Sequence, residues 1–141
     1  MLLVDANVLL HAVNESSREH VSARGWLRET LQGNEAVAFP WTVLLAFLRL
    51  NTHPAVFPQP LRVDQASDLV GRWLDSPPSV TVEPTRRHLP LLRGLLASTG
   101  TGGNLVGDAH LAALALEHDA TVVSFDRDFA RFDGVALQRP G

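Results

Sequence analysis

The 141-residue chain has no cysteine, which excludes a disulfide framework, a thiolate zinc site and a thiol nucleophile. It has no lysine either; all twelve basic residues are arginine. Receiver-type and haloacid-type phosphotransfer domains place acids at strand ends but rely on a nearby lysine, so that reading fails. No apolar run approaches the ~20 residues needed to span a bilayer, and no basic leader precedes a first strand at Leu2. A soluble, cytoplasmic protein is expected. No serine stands in a nucleophile-elbow pattern, so acyl transfer has no support. The glycine-rich stretch 98–104 follows a helix and lacks lysine, so it is not a phosphate-binding P-loop. It is expected to be a flexible loop that closes over a site.

With 45% hydrophobic residues and a net charge of −3, the chain is expected to form one globular domain over residues 1–141. The charge argues against a generic nucleic-acid coat. It leaves room for a nuclease whose acids gather in one place while arginines line the rim, since arginine can hold phosphate through paired hydrogen bonds.

Strand and helix signals alternate. Strands are expected at Leu2–Val4, Glu35–Phe39, Ser79–Val82, Thr121–Phe125 and Val135–Leu137. Helices are expected from Val8 to Asn14, from Ser16 or Ser17 to Gln32, from Thr42 to Leu50, from an Asp64 cap to Asp75, from a Thr85 cap to Leu96, and from an Asn104 cap to His118–Asp119. Pro90 marks a kink or a delayed start in the fifth helix. Arg127–Phe132 forms a short helical turn. The proline-containing segment Thr52–Leu61 is an extended loop. This alternation predicts an α/β/α sandwich around a mainly parallel sheet of four to five strands. The helix Thr42–Leu50 is apolar all round, which suggests a subunit interface as well as a core.

Asp5 and Asp126 fall at strand ends, where parallel α/β sheets bind ligands. Asp108 sits inside an otherwise apolar helix, where an unpartnered carboxylate is unfavourable. Each acid has a plain alternative: Asp5 and Asp126 as helix caps, Asp108 as a solvated position, Asp128 as a surface charge. Taken jointly, they predict acids converging on one site. Neighbouring carboxylates repel, and a hard divalent cation, Mg²⁺ or Mn²⁺, relieves that repulsion. Such an ion can activate water and brace a phosphate oxygen. A zinc site drawing on Asp108 and His110 is disfavoured, because residues two apart on a helix diverge.

The segments LLVDANVLLHA and DAHLAALALEHDATVVSFDRDFARF, in this order and at this separation, resemble the PIN-domain ribonucleases, specifically the VapC toxins of toxin–antitoxin pairs. The resemblance spans essentially the whole chain. It implies an α/β/α homodimer that cuts structured RNA, such as tRNA or rRNA loops, with Mg²⁺ or Mn²⁺, leaving 5′-phosphate ends. It also implies a VapB-type antitoxin that occupies the active-site groove. Asp5, Asp108 and Asp126 take the metal-binding positions, Asp128 is an accessory acid, and Asn7 and Ser124 support them. Arg86, Arg87, Arg127 and Arg131 are candidates for steering the RNA backbone. In one respect the chain departs from the pattern. The family usually carries a glutamate three residues before an arginine on the helix after the second strand. Here Arg49 is present, but Ala46 stands three residues back. The site is thus one carboxylate short, and Asp128 or a substrate phosphate would supply the missing ligand. The rival expectation is a catalytically weak RNA- or protein-binding module. A flap-type DNA nuclease ranks lower, since the short chain lacks the extra helical regions that grip a DNA junction.

Overall fold

A computed structural model describes residues 1–100, 103 and 105–141. The chain runs β1 (Leu2–Val4), α1 (Ala6–Val13), α2 (His20–Leu31), β2 (Val37–Ala38), α3 (Trp41–Asn51), α4 (Val63–Asp75), β3 (Ser79–Val80), α5 (His88–Thr99), α6 (Leu105–Glu117), β4 (Thr121–Val123), a 3₁₀ turn (Arg127–Arg131) and β5 (Leu137–Gln138). All strand pairs are parallel, in the order β3-β2-β1-β4-β5. β1 is central: Leu3 faces Ala38 on one side and Val122 on the other. Leu3, Val4, Val37, Ala38, Val122 and Val123 have no exposed surface, as expected for parallel strands covered on both faces.

Strand order explains the layers. The chain moves outward from β1 through β2 to β3, then crosses back to β4 and out to β5. Right-handed crossovers put the helices of these two excursions on opposite faces. Packing agrees: α1 meets α2 and α3, α3 meets α4, and α5 packs along α6. The order reverses between β1 and β4, and a ligand crevice opens there beyond the strands' C-terminal ends.

The strands are shorter than the apolar runs suggest, for local reasons. Pro40 follows Phe39 and cannot donate to a ladder. The Phe125 N–H bonds to Asn7 Oδ1 at 3.2 Å instead of to a strand, so β4 stops early. β5 is displaced to Leu137–Gln138, and β3 ends at Val80.

Several caps also differ. α1 starts at Ala6, two residues early, because Asp5 accepts the Ala6 N–H at 2.7 Å. Neither Ser16 nor Ser17 caps α2: Ser17 takes the Glu19 N–H and pairs with His11 Nδ1, holding a turn, and α2 begins at His20. α4 begins at Val63, with Asp64 in its first turn beside Arg62 at 3.1 Å. Thr85 does not cap α5, which begins at His88. Pro90 therefore falls in the first turn, where its missing N–H breaks no hydrogen bond. The proposed Asn104 cap, and part of the 98–104 loop, lie outside the described residues. α6 ends as expected: Asp119 adopts a left-handed conformation (φ 53°) and the Ala120 N–H closes on the Ala115 carbonyl at 2.8 Å, a Schellman ending.

α3 is not covered all round within this chain. Val43, Leu44 and Phe47 are buried, but Trp41 and Leu45 are 46% and 57% exposed. Among the described residues no helix is long and apolar enough to cross a membrane.

Candidate active site

β1 and β4 deliver their acids side by side because the two strands are neighbours. The Asp5 N–H bonds to the Val123 carbonyl at 3.0 Å, so Asp5 emerges beside Ser124. Asp5 Oδ2 accepts the Ser124 hydroxyl at 2.7 Å and Asn7 Nδ2 at 3.1 Å. Asn7 Nδ2 also reaches Ser124 Oγ at 3.0 Å, and Ser124 Oγ accepts the Asp126 N–H at 2.9 Å. Asp126 Oδ1 in turn accepts the Asp128 N–H at 2.9 Å. Asp5 thus caps α1 and Asp126 caps the 3₁₀ turn, and Ser124 links the Asp5 side chain to the Asp126 backbone.

Electrostatics tie the helix acid to the strand acids. Burial pushes the Asp5 carboxyl up from its ordinary value and the Asp126 charge adds to this, while hydrogen bonds from Ser124 and Ala6 pull it back. Asp108, in the first turn of α6, is pushed up to about 6, first by burial and then by the charges of Asp5, Asp126 and Asp128. The four carboxylates thus share one field. Among the described residues, no three His, Asp or Glu side chains are grouped closely enough to hold one ion. The donor set is all oxygen and strongly anionic, which suits a hard divalent ion.

An acid whose folded value is raised destabilises the fold once ionised. For Asp108 the cost is absent below pH 4, grows as pH rises through about 6, and stays constant above. The side chain is half-buried, so solvent screening trims the cost to about 1 kcal/mol. Asp108→Asn is accordingly expected to raise Tm by roughly 3–5 °C at pH 7.5 in chelator. No gain is expected at pH 4. Thermal melts at the two pH values check this; an equal effect at both would show that the ionised carboxylate is not the cause.

A cleft of about 470 Å³ is lined by Asp5, Thr42, Ala46, Leu92, Asp108 and His110, among others. Ala46 therefore lines the same cleft as Asp5 and Asp108. Although residues two apart on a helix diverge, this cleft is wide enough that Asp108 and His110 both line it. Asp128 faces Arg131 at 3.8 Å. Arg86, Arg87 and Arg127 are exposed and carry no ion pair among the described residues. Arg86 and Arg87 lie just ahead of α5, Arg127 and Arg131 in the turn after β4.

Two features escape the sequence reading. Arg139 sits 4.8 Å over the Phe125 ring and pairs with Glu19 at 2.7 Å, bracing the segment between Ser124 and Asp126. His110 contacts His88, which contacts Glu117. Spacing could have flagged His110 and Glu117, since residues seven apart share a helix face; nothing local points to His88. Burial and the neighbouring His88 hold His110 below the ordinary histidine value, with Glu117 opposing. Burial disfavours the Glu117 charge, but hydrogen bonds from Thr85 and His88 outweigh it and lower its value.

Comparison with known proteins places this fold. The PIN domain family matches residues 2–135. Ribonuclease VapC37 of Mycobacterium tuberculosis is 51% identical over 140 residues, covering 99% of this chain and 97% of that protein. Ribonuclease VapC43 of the same species is 39% identical, covering 99% and 95%. The fold also resembles VapBC2 from Rickettsia felis, solved bound to a promoter DNA fragment (TM-score 0.72, 18% identity, 99% and 98% coverage). From its opening strand to its last, this chain belongs to the VapC family of PIN-domain ribonucleases.

Proposed function

We propose that the chain is a metal-dependent endoribonuclease, the toxin of a type II toxin–antitoxin pair, that hydrolyses phosphodiester bonds in structured RNA such as tRNA or rRNA loops. The observation that supports this reading is the placement of Asp5 beside Asp126 through Ser124, with Asp108 lining the same cleft as Asp5. Asp5, Asp108 and Asp126 would hold Mg²⁺ or Mn²⁺. When bound, the ion supplies a water activated at neutral pH and offsets charge on the phosphate. The chain's own residues do the positioning. Ser124 and Asn7 aim the Asp5 carboxylate through two hydrogen bonds, and such partners of a ligand typically carry 10–100-fold in affinity or activity. Val43, Leu92, Val106 and Leu111 give the cleft beside Asp5 and Asp108 an apolar wall. Arg86, Arg87, Arg127 and Arg131 would draw in the anionic backbone, with affinity falling as salt rises.

A VapB-type antitoxin is the proposed partner: the Rickettsia felis relative was solved as a VapBC complex. The exposed Trp41 and Leu45 on α3 support the proposed homodimer. The test is induction of the chain in bacteria followed by sequencing of new 5′-phosphate RNA ends. Discrete cut sites that vanish with Asp5→Ala, and growth arrest relieved by the co-expressed antitoxin, are expected. Growth and RNA profiles unchanged by induction would defeat the proposal.

Because Ala46 lines the cleft with Asp5 and Asp108, Ala46→Glu is expected to tighten Mn²⁺ binding by about tenfold through an added carboxylate. Calorimetric titration reads this directly. If the ion is held no more tightly, Ala46 is not the missing ligand's place, and the notion of a weakened, merely binding module loses its structural motive.

A further inference from the structure

Beside the acids, an arginine is layered on an aromatic ring and fastened there. The Arg139 guanidinium lies 4.8 Å over the Phe125 ring. Its Nη1 donates to the Phe125 carbonyl at 3.3 Å and its Nη2 to Glu19 Oε1 at 2.7 Å. The His11 ring meets that of Phe125 at 5.2 Å, nearly at right angles, so the aromatic ring is held as well. Half of the Arg139 side chain nevertheless stays open to solvent. Exposed ion pairs add little to stability, and fixing a long arginine side chain costs conformational entropy. Stability alone gives little reason to fasten this side chain to a ring, a carbonyl and a carboxylate at once.

Its place ties it to the acids. The Phe125 N–H bonds to Asn7 Oδ1 at 3.2 Å, and Asn7 Nδ2 donates to Asp5 Oδ2 at 3.1 Å. Phe125 stands between Ser124, which donates to Asp5, and Asp126. Consecutive Cα atoms are about 3.8 Å apart, so whatever rests on Arg139 belongs to the part of a strand that the carboxylates meet. What the arginine offers there is a flat face rather than a fork. Its two terminal nitrogens are engaged, and the Glu19 carboxylate balances its charge and repels a phosphate. Arg86, Arg87 and Arg127, which carry no ion pair among the described residues, are better placed to hold phosphates.

We propose that a nucleobase of the bound RNA stacks on the exposed face of Arg139, with Phe125 behind it, and so sets the strand against the acids. The inference deepens the ribonuclease reading and rests on it. Loops of structured RNA carry unstacked bases, and guanidinium planes are surfaces on which such bases stack. An arginine already fastened over a ring loses little further freedom when a base settles on it. Every base has a π-face, so this shelf registers the presence of a base rather than its identity. Arg139 is then a substrate-contacting residue, and Phe125 and Glu19 are positioning residues.

The experiment uses a synthetic RNA oligonucleotide spanning a cut site mapped by 5′-end sequencing, with Mn²⁺ supplied, and versions carrying one abasic ribose at each position in turn. For the wild-type protein, removing the base at one position beside the cut is expected to lower kcat/KM by about tenfold. Arg139→Lys keeps the charge and lacks the plane. It should cut the intact oligonucleotide about tenfold more slowly and lose the penalty at that position. Arg139→Ala serves if the lysine variant does not fold. Glu19→Ala, which frees the guanidinium, should shrink the penalty while cutting the abasic oligonucleotide as fast as the wild type does. An arginine that only braced the segment between Ser124 and Asp126 would act differently. Its loss would slow intact and abasic oligonucleotides alike and leave the penalty in place, and that result overturns the inference. A lysine variant that keeps the wild-type rate and penalty overturns it too, since charge would then suffice, and so does a wild-type protein indifferent to every abasic position. In each of these cases RNA is still cut and the ribonuclease reading stands. A wild-type protein that cuts no RNA defeats the ribonuclease reading itself.

Discussion

Asp5→Asn is expected to reduce divalent-dependent RNA cleavage by about a hundred- to a thousandfold while leaving the fold intact. The size follows from what is lost. The side chain would hold the cation and, through it, stabilise charge on the phosphate, and removal of one such electrostatic group typically costs 10²–10³ in rate. Retention of the fold follows from the hydrogen-bond web. An asparagine oxygen can still accept the Ala6 N–H that caps α1 at 2.7 Å. On the Oδ2 side the amide loses the hydrogen bonds that Asn7 and Ser124 give the carboxylate. The neutral side chain offsets that loss by escaping the burial that pushes the Asp5 carboxyl up, so the fold at pH 7 is retained. Counting 5′-phosphate ends on a mapped RNA, beside a circular-dichroism melt, checks both halves. Cleavage within threefold of wild type would remove Asp5 from the machinery; a collapsed melt would make it a structural cap.

The second large effect lies in the core. Phe47→Ala is expected to cost about 3–5 kcal/mol, a sizeable share of the 5–15 kcal/mol typical of a folded domain, and to lower Tm by roughly 10–20 °C. Phe47 has no exposed surface and meets the Trp73 ring edge-on at 4.8 Å. Trp73 in turn lies parallel to Phe39 at 6.4 Å. This aromatic stack joins α3, α4 and the end of β2, so truncating its α3 member leaves a cavity that neighbouring elements cannot close independently. Leu45→Ala, two residues away on the exposed side of the same helix, is the control. Urea unfolding should show little change for Leu45→Ala in dilute protein, with any loss growing with concentration if α3 forms the proposed dimer contact. A Phe47→Ala midpoint close to wild type would contradict the packing described.

Much of this was legible from local pattern. The runs at Leu2–Val4 and Thr121–Phe125 read as buried strands because they are mostly apolar without strict alternation, and burial of that kind leaves its mark on consecutive residues, although pairing in the second stops at Val123. Asp5 and Asp126 stood out because an acid directly after such a run must lie at the sheet's edge. The end of α6 at His118–Asp119 was readable because the left-handed residue and its closing bond are local. Helix starts were less readable. Ser17 and Thr85 have the right chemistry for caps, yet each is engaged elsewhere, by His11 and by Glu117.

The chain order of residues thus establishes the alternation of strands and helices, the apolar interior and the presence of acids at strand ends, since each depends on neighbours within a turn or two. Which acid meets which depends on β1 and β4 lying side by side, a pairing across more than a hundred residues that no local pattern encodes. The same holds for the link from Glu117 through His88 to His110, which exists only because α5 packs along α6. Long-range contacts of this kind arise from the strand order and the handedness of its crossovers, so the residues around Asp5 and the ring that faces the cleft were settled by folding.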